Sequence, residues 1–381
     1  MKKTFHLIIL ISLLSLLLVP SVFSDSLEST EKSKVITVRD LLGREVKVTV
    51  PVRRIVLQSS GSGGAFYTLF AIGGKDVVHR IAGIDPGLKM YRHWIWKKFV
   101  EAVPELENIP DIGTTSKGSL NVEKIISIGA DIVIVTPFSY QQGIDLFEKI
   151  EKAGIPVVVI DYHTETLKTH LQTINLIGTL LGEEKKAWEL AEFYQQKLNM
   201  VYDRLKTLQR PRPKVYLECG MKGPEQYFNT YGNYMWGALI EKCGGINIAK
   251  GKVEKWGPIS PEYLLSKDPD VIIITGSYWP KTSNSMKLGY FANYQESKNL
   301  LEAFTRRPGW SSLRAVINGK LYSINHGLSR DIWDFVPIQF LTRCFYPEEF
   351  GFLDPEGSLK EFHEKFLPVE YSGMWMMSLR E

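Results

Sequence analysis

Two stretches of the chain, LNVEKIISIGADIVIVT at residues 120–136 and ISPEYLLSKDPDVIIIT at residues 259–275, repeat one pattern at an offset of 139 residues. A glutamate, a serine, an aspartate and a threonine recur at equivalent positions in both. Each stretch predicts a short helix, a turn and then a strand that is apolar at every position. Such a strand is buried on both faces, as in a parallel sheet covered by helices. The repeat therefore predicts two lobes of similar architecture.

Further strands of the same kind are predicted on either side of the repeat. Short runs of β-branched and aliphatic residues, separated by helical stretches, lie at residues 54–58, 157–160, 214–217 and 321–324. Alternating strands and helices indicate an α/β fold. Ahead of them, residues 35–38 and 46–50 flank the turn sequence DLLGR and predict a β-hairpin. We therefore predict an α/β protein with two Rossmann-like lobes built on mainly parallel sheets.

The most regular helical pattern in the chain lies between the two copies. From residue 184 to 209, apolar residues recur at steps of three and four: Ala187, Leu190, Ala191, Tyr194, Leu198, Val201, Leu205 and Leu208. A helix of this length is about 39 Å long at 1.5 Å per residue. We predict an N-terminal lobe over residues 35–182, a connecting helix over residues 183–210 and a C-terminal lobe over residues 211–381. The alternative is an ordinary helix packed within one lobe.

The N-terminus has the layout of a secretory signal peptide. Lys2 and Lys3 precede an apolar run over residues 7–19, Pro20 breaks this run, and residues 22–24, VFS, place small or tolerated residues at the −3 and −1 positions of a cleavage site. The run is short for a membrane span. We expect a signal peptide of residues 1–24 that is cleaved after Ser24. Because no cysteine lies near that point, we expect a periplasmic protein without a lipid anchor.

The charge of the chain is nearly balanced. It has 46 Lys and Arg against 42 Asp and Glu, and removal of Lys2 and Lys3 leaves 44 against 42. This balance gives no reason to expect nucleic acid or an anionic membrane surface as a partner. The cysteines, Cys219, Cys243 and Cys344, are too few for a disulfide scaffold. We favour buried thiols, and one disulfide in an oxidising compartment is the alternative.

Several short motifs, taken in order, resemble the periplasmic binding proteins for iron siderophores, haem and cobalamin. They are DLLGR at 40–44 with Pro51 and RIV at 54–56, NVE at 121–123, CGGINIA at 243–249, SPE at 260–262 and PDVI at 269–272. The resemblance covers nearly all of the mature chain. It implies two α/β lobes joined by a single long helix, in a monomer without a resident cofactor or catalytic residues.

The same resemblance implies a partner and a ligand. The protein would hold a small-molecule metal complex between its lobes and deliver it to the membrane permease of an ABC importer. An iron siderophore or a similar ferric chelate is the expected ligand, and haem or cobalamin is the alternative. One surface glutamate on each lobe, Glu123 and Glu262, would dock on arginines of the permease. Carboxylate–guanidinium pairs are directional, so two of them fix register. For either glutamate the alternative is a solvated helix residue.

Candidate ligand contacts follow the predicted strands, because ligands of open α/β sheets lie beyond the carboxyl ends of the strands. Aromatic residues, arginines and histidines recur there and suit an anionic, partly apolar chelate. The candidates are Arg92, Tyr140, Tyr231, Trp236, Tyr278, Trp279, His326 and Arg330. His326 and Arg330 are the best polar pair because they follow the last predicted strand. For each aromatic residue, packing at the edge of the core is the alternative.

Other kinds of site find less support. Histidines do not cluster with acidic or cysteine ligands, so we predict no metal held by the protein itself. Direct ligation by His326, His93 or Tyr140 is an alternative for an incompletely wrapped metal or for haem. The segment SSGSGG at 59–64 lacks the features of a phosphate-binding loop. A periplasmic enzyme acting on a chelate is the alternative of a different class.

Overall fold

The computed structural model describes residues 33–61, 64–164 and 166–380, so the predicted signal peptide lies outside the described residues. The strands are β1 (Lys34–Arg39), β2 (Glu45–Val50), β3 (Ile55–Leu57), β4 (Ile81–Ile84), β5 (Ile132–Val135), β6 (Val157–Val159), β7 (Lys214–Cys219), β8 (Thr230–Tyr231), β9 (Ile246–Asn247), β10 (Trp256–Gly257), β11 (Val271–Gly276), β12 (Leu321–Asn325) and β13 (Met376–Ser378).

The α-helices are α1 (Phe66–Gly73), α2 (Gly87–Tyr91), α3 (His93–Ala102), α4 (Val122–Ser127), α5 (Pro137–Gln142), α6 (Ile144–Lys152), α7 (Leu167–Leu181), α8 (Glu184–Leu205), α9 (Trp236–Lys242), α10 (Pro261–Lys267), α11 (Tyr294–Phe304), α12 (Arg314–Ile317), α13 (Phe335–Phe345), α14 (Pro347–Phe350) and α15 (Pro355–Phe366). Both copies of the repeat form the predicted helix, turn and strand, as α4–β5 and as α10–β11.

The first lobe is built on a four-stranded parallel sheet with the order β4-β3-β5-β6. The predicted hairpin forms from β1 and β2, which pair antiparallel. Strand β4 was not predicted because its sequence, IAGI, contains Gly83. A Cβ atom at this position would lie 2.7 Å from Cγ2 of Ile112. The glycine therefore reflects a close approach of neighbouring elements, which interrupts the apolar pattern of a strand.

The second lobe is built on a five-stranded sheet with the order β13-β12-β11-β7-β9. The four strands β12, β11, β7 and β9 are parallel, and β13, from the C-terminal tail, pairs antiparallel with β12 at the edge. The strands β5 and β11 are buried at every position, which explains their unbroken apolar sequence. The predicted fold class, two α/β lobes with mainly parallel sheets, is confirmed.

Helix α8 connects the lobes. It packs against α7 and α1 of the first lobe and against α13 of the second, so it contacts elements of both lobes. Its 22 residues span about 33 Å. The helix ends at Leu205, four residues before the predicted end at 209. Leu208 still packs against the core, so its apolar character reflects burial and not helical conformation. In the described part of the chain, no helix has both the length and the apolar character to cross a membrane.

A buried polar network fixes α8 between the lobes. The hydroxyl of Tyr194 on α8 donates to Oδ1 of Asp334, just before α13, at 2.6 Å, and lies 2.5 Å from Nδ1 of His170 on α7. The same Nδ1 lies 3.2 Å from the other oxygen of Asp334. All three side chains are buried. Buried hydrogen bonds that join three helices oppose a wide movement of one lobe relative to the other.

The cysteines lie in the interior. Cys219, Cys243 and Cys344 are all buried, and burial raises the pKa of Cys219 and of Cys243 to about 12. Both thiols therefore stay protonated at neutral pH and act as small apolar side chains.

Candidate ligand-binding cleft

An open cleft of about 390 Å³ lies between the two lobes. Residues that follow β5 and β6 line its first-lobe side, among them Phe138 and His163. Tyr234, Trp256 and Arg330 line its second-lobe side. The cleft thus lies beyond the carboxyl ends of parallel strands, where ligands of α/β sheets bind.

The rim of the cleft is aromatic and exposed. Phe138 is 45% exposed and Trp256 is 49% exposed, which is unusual for such large apolar side chains. The ring of Tyr234 lies 5.6 Å from the ring of Trp256. The ammonium group of Lys255, on the second lobe, lies 6.0 Å from the ring of Phe138 on the first. This rim offers contact area to a bulky ligand and positive charge beside it.

His326 is the centre of an aromatic cluster near Arg330, one of the residues that line the cleft. Its ring lies 6.1 Å from Tyr231, 6.1 Å from Trp236 and 5.9 Å from Trp279. Its Nδ1 is 2.8 Å from the hydroxyl oxygen of Thr275, at the end of β11. Four residues predicted from their positions after strands therefore come together here.

Two arginines, one from each lobe, lie beside this cluster. Arg92 is 5% exposed, and its Nε donates to the carbonyl of Gly61 at 3.0 Å. Arg330 donates from Nη1 to the hydroxyl of Tyr234 at 3.4 Å. Burial, together with the positive charges of both arginines, holds the pKa of His326 well below its ordinary range. His326 is therefore neutral at pH 7, and the arginines supply the positive charge.

These arginines have no carboxylate partner. Within residues 33–61, 64–164 and 166–380, neither guanidinium forms an ion pair. Gly327 makes room for Arg92, because a Cβ atom there would lie 2.6 Å from Nη1 of the arginine. Buried arginines are normally paired. An unpaired buried guanidinium beside a cleft suits an anionic ligand.

Several buried hydrogen-bond donors in the residues around the arginines have no partner. Among the described residues, no partner is present for Tyr67 Oη, Trp236 Nε1, Ser329 Oγ, Arg330 Nε and Trp333 Nε1. More than nine in ten buried polar groups in folded proteins have a partner. Donors left without a partner near a cleft suit a ligand rich in oxygen.

Backbone strain also marks this region. In the described chain, four residues other than glycine have positive φ angles, and three of them lie around the cleft: Ser59 at 70°, Met235 at 47° and Arg330 at 64°. Left-handed backbone costs about 1–3 kcal/mol for such residues and is typical of functional sites. Arg330 both has this strained backbone and lines the cleft, which is further support for a functional role.

Two predicted contacts lie elsewhere. Tyr278 stacks on Trp94 of the first lobe, with ring centroids 4.7 Å apart and planes 3° from parallel, so it joins the lobes beside the cleft. The hydroxyl of Tyr140 accepts a hydrogen bond from Arg44 at 2.7 Å, and its ring stacks on Phe147. Residues two apart on a helix point to nearly opposite sides. Because Phe138 faces the cleft from α5, Tyr140 faces away, and we leave it out of the proposed contacts.

Three residues around the arginines were missed by sequence reasoning. The ring of Trp333 stacks on the ring of Tyr67 from the other lobe, with centroids 4.4 Å apart. Asp331 directly follows Arg330 in the sequence. The segment 329–334, SRDIWD, follows the last predicted strand and its polar residues were a usable signal. Tyr67 gave no signal, because a tyrosine within an apolar helix resembles a core residue.

The side chains that could ligate a metal lie apart from one another in the described structure. In the described residues, no group of three His, Cys, Asp or Glu side chains is placed to hold a metal ion. His93 lies 5.8 Å from the ring of Tyr278, and Tyr140 is held by Arg44. His93, Tyr140 and His326 therefore contact different neighbours.

The recurring serine and aspartate of the repeat have structural roles. The hydroxyls of Ser127 and Ser266 donate to the carbonyl three residues earlier, at 2.9 Å and 2.8 Å. The carboxylates of Asp131 and Asp270 accept a backbone N–H at the start of the neighbouring strand, at 2.8 Å in both lobes. The fold therefore explains why these residues recur.

The recurring glutamates have no such role. Glu123 and Glu262 are both exposed, each at the second position of a short helix whose cap residue, Asn121 or Ser260, accepts a backbone hydrogen bond. In the part of the chain that the structure describes, neither carboxylate forms an ion pair or a hydrogen bond. Capped helices hold both side chains at the surface, where they are available to a partner.

Known proteins resemble this chain over most of its length. Residues 68–326 match the family described as periplasmic binding protein. The structure of "TroA-like Periplasmic Binding Protein FepB" from Veillonella parvula is 44% identical with a TM-score of 0.88, covering 90% of this chain and 99% of that one. "Molybdate-binding protein MolA" of Haemophilus influenzae is 24% identical over 352 residues, 85% of this chain and 89% of that protein. A periplasmic heme binding protein from Pseudomonas aeruginosa shares the fold, with a TM-score of 0.51 and 20% identity over 78% of this chain and 93% of that one.

Proposed function

Because the chain belongs to the periplasmic binding protein family, we propose that it captures an anionic metal complex between its lobes and delivers it to the membrane permease of an ABC importer. An iron siderophore or a similar ferric chelate is the ligand that we propose. The observation that carries this proposal is the pair of arginines without carboxylate partners: Arg330, which lines an aromatic cleft, and Arg92, which acts together with it on His326. We further propose a periplasmic location after loss of the signal peptide.

Each part of the cleft has a task in this proposal. Phe138, Tyr234 and Trp256 on the rim contact the apolar body of the ligand. The two guanidinium groups pair with its anionic oxygens, and the buried donors around them complete the hydrogen bonds. The relatives named above bind molybdate and haem, and both ligands contain a metal and carry negative charge. The network around Tyr194 favours small movements of the lobes over a wide hinge closure.

A tryptophan fluorescence titration of the mature protein tests this function. Trp236 and Trp279 lie beside His326, so a ligand in the cleft changes their emission. The panel comprises a ferric tris-catecholate complex, haem, cobalamin and molybdate at equal concentrations. We expect saturable quenching by the ferric complex. Tighter binding of haem or cobalamin would replace the ligand class, and a lack of response to the whole panel would contradict the proposed function.

The docking role of the two glutamates is tested separately. We expect Glu123→Ala and Glu262→Ala to slow uptake of the ferric complex by cells about tenfold each, and the double variant to abolish it. The Kd of the purified variants for the complex should stay within about twofold of wild type, because both side chains lie outside the cleft.

Matched controls are available on each lobe. Glu148 and Glu302 are exposed glutamates, 52% and 53% accessible, in surface pairs with Lys152 and Arg306. Glu148→Ala and Glu302→Ala should leave uptake unchanged. Full uptake in the Glu123→Ala/Glu262→Ala double variant would show that these glutamates are solvated helix residues.

A further inference from the structure

We propose that the carboxyl group of Asp331, beside Arg92 and Arg330, couples the binding of an anion in the cleft to the uptake of one proton. The inference rests on the proposed function and describes the regulation of the same site. It concerns a carboxyl group that was predicted neither from the repeat nor from its position after a strand.

The geometry around Asp331 is unusual for a carboxylate. The residue directly follows Arg330 and is 1% exposed. Its Oδ1 accepts the backbone N–H of Trp333 at 2.8 Å, but Oδ2, although buried, has no partner among the described residues. No ion pair joins it to Arg92 or Arg330 within the described residues. The carboxyl group thus lies near two positive charges without being neutralised by direct contact.

Charged and titratable groups from several elements act on this carboxyl group. They are Arg92 before α3, Arg330 on the same segment, Asp334 before α13, Tyr67 on α1 and Tyr162 after β6. Burial and, to a smaller extent, the charge of Asp334 raise the pKa of Asp331 to about 8, against the opposite effect of the two arginines. Burial also raises the pKa of Tyr67 and of Tyr162, so both phenols stay neutral.

The two protonation states of Asp331 differ in charge and in hydrogen bonding beside the arginines. The protonated acid is one more O–H donor beside Ser329 and Trp333, whose donors have no partner among the described residues. The ionised form repels the ligand and offsets part of the arginines' charge. In the free protein the positive charges of the arginines stabilise the carboxylate and lower its pKa. A bound anion neutralises these charges, so the pKa of Asp331 rises in the complex. Ligand and proton therefore bind together.

The direction of the pH dependence follows from this linkage. Below about pH 7 the acid is already protonated, so ligand affinity is constant. As the pH rises through about 8, the free protein loses the proton that the complex retains, and Kd rises by up to about tenfold per pH unit. A neutral ligand, which does not change the field of the arginines, produces no such slope.

Titrations of wild type and Asp331→Asn test the proposal. The probes are the ferric tris-catecholate complex and molybdate, from about pH 6.5 to about pH 9.5. We expect a rising Kd above about pH 8 for wild type and a flat profile for Asp331→Asn, which binds more tightly than wild type at about pH 9. Asp145→Asn, the same change at an exposed carboxylate on α6, should retain the wild-type slope.

Two further measurements do not depend on the folding of one variant. Calorimetric titration of wild type in two buffers of different ionisation enthalpy should show proton uptake of up to about one per ligand near pH 8.5. In ligand-free protein, the folded state binds the proton of Asp331 more tightly than the unfolded state does. Wild type therefore loses stability as the pH rises from about 5 to about 8, and Asp331→Asn does not. The difference between the thermal midpoint of the variant and that of wild type should increase over this range.

The outcomes separate this inference from the proposed function. Anion binding by wild type that does not depend on pH, or an equal slope in Asp331→Asn, would overturn the role of Asp331 and leave the proposed function standing. If neither anion binds to wild-type protein at any pH, both proposals are overturned.

Discussion

Replacing Arg330 by glutamine is expected to weaken binding of the ferric tris-catecholate complex by about 2–4 kcal/mol, which is about 30-fold to 1,000-fold in Kd. Arg330 lines the open cleft, and its Nε is a buried donor without a partner among the described residues. The guanidinium would form charge-assisted hydrogen bonds with the anionic oxygens of the ligand. Glutamine retains a donor but removes the charge, so the anion loses its pairing partner on the second lobe. Fluorescence titration at about pH 7 measures the effect.

Two controls distinguish lost binding from lost folding. Arg330→Gly should bind as weakly as the glutamine variant, while its thermal midpoint should not fall, because glycine adopts the φ of 64° without strain. Arg306→Gln changes an arginine that is 72% exposed on α11's C-terminal side and should leave Kd unchanged. An unaltered Kd in Arg330→Gln would mean that the ligand does not pair with this guanidinium.

Replacing Arg307 by methionine is expected to lower the free energy of unfolding by about 3–5 kcal/mol. Arg307 and Glu218 form a fully buried ion pair, with side chains 3% and 0% exposed and N–O distances of 2.7 and 2.9 Å. Arg307 also donates to three backbone carbonyls, at positions 223, 224 and 226. Methionine fills the space but leaves a buried carboxylate without its counter-charge.

This pair also supports the cleft. Residues 223–226, whose carbonyls accept hydrogen bonds from Arg307, precede β8. Tyr231 of β8 approaches His326, so loosening of residues 223–226 should weaken ligand binding as well. Urea unfolding measures the stability. Arg306→Met, the adjacent exposed arginine, should cost less than about 1 kcal/mol.

A double variant shows the origin of the loss. Arg307→Met/Glu218→Gln removes both charges and should recover part of the stability, because no buried charge then lacks a partner. A loss in Arg307→Met no larger than in Arg306→Met would contradict the importance of the pair.

The sheets were predictable because their strands carry a local signal. β5 and β11 are buried at every position, and a buried parallel strand is apolar throughout. The strands that were missed lack this signal. β4 contains a glycine that neighbouring side chains require, β9 has only two residues, and β13 is an edge strand from the tail.

The cleft was predictable only in part. Candidates were chosen because they follow predicted strands, and the carboxyl ends of parallel strands meet at one edge of a sheet. In the structure, four of these candidates lie near one another: His326, Arg330, Trp236 and Tyr231. A position after a strand does not say which side of the following helix faces the ligand, and on α5 it is Phe138 that lines the cleft while Tyr140 contacts Arg44. The exposed rim residue Trp256 follows no strand of the parallel sheets and so was not a candidate.

The sequence by itself determined the two α/β lobes, the helix between them and the strand ends that carry candidate ligand contacts. These features depend on the period of apolar residues along the chain, which is a local property. Only the tertiary structure decided that Arg92 and Arg330, 238 residues apart, lie without carboxylate partners beside Asp331. Charge balance and unsatisfied donors at one place depend on which distant segments pack together, and no local pattern records that.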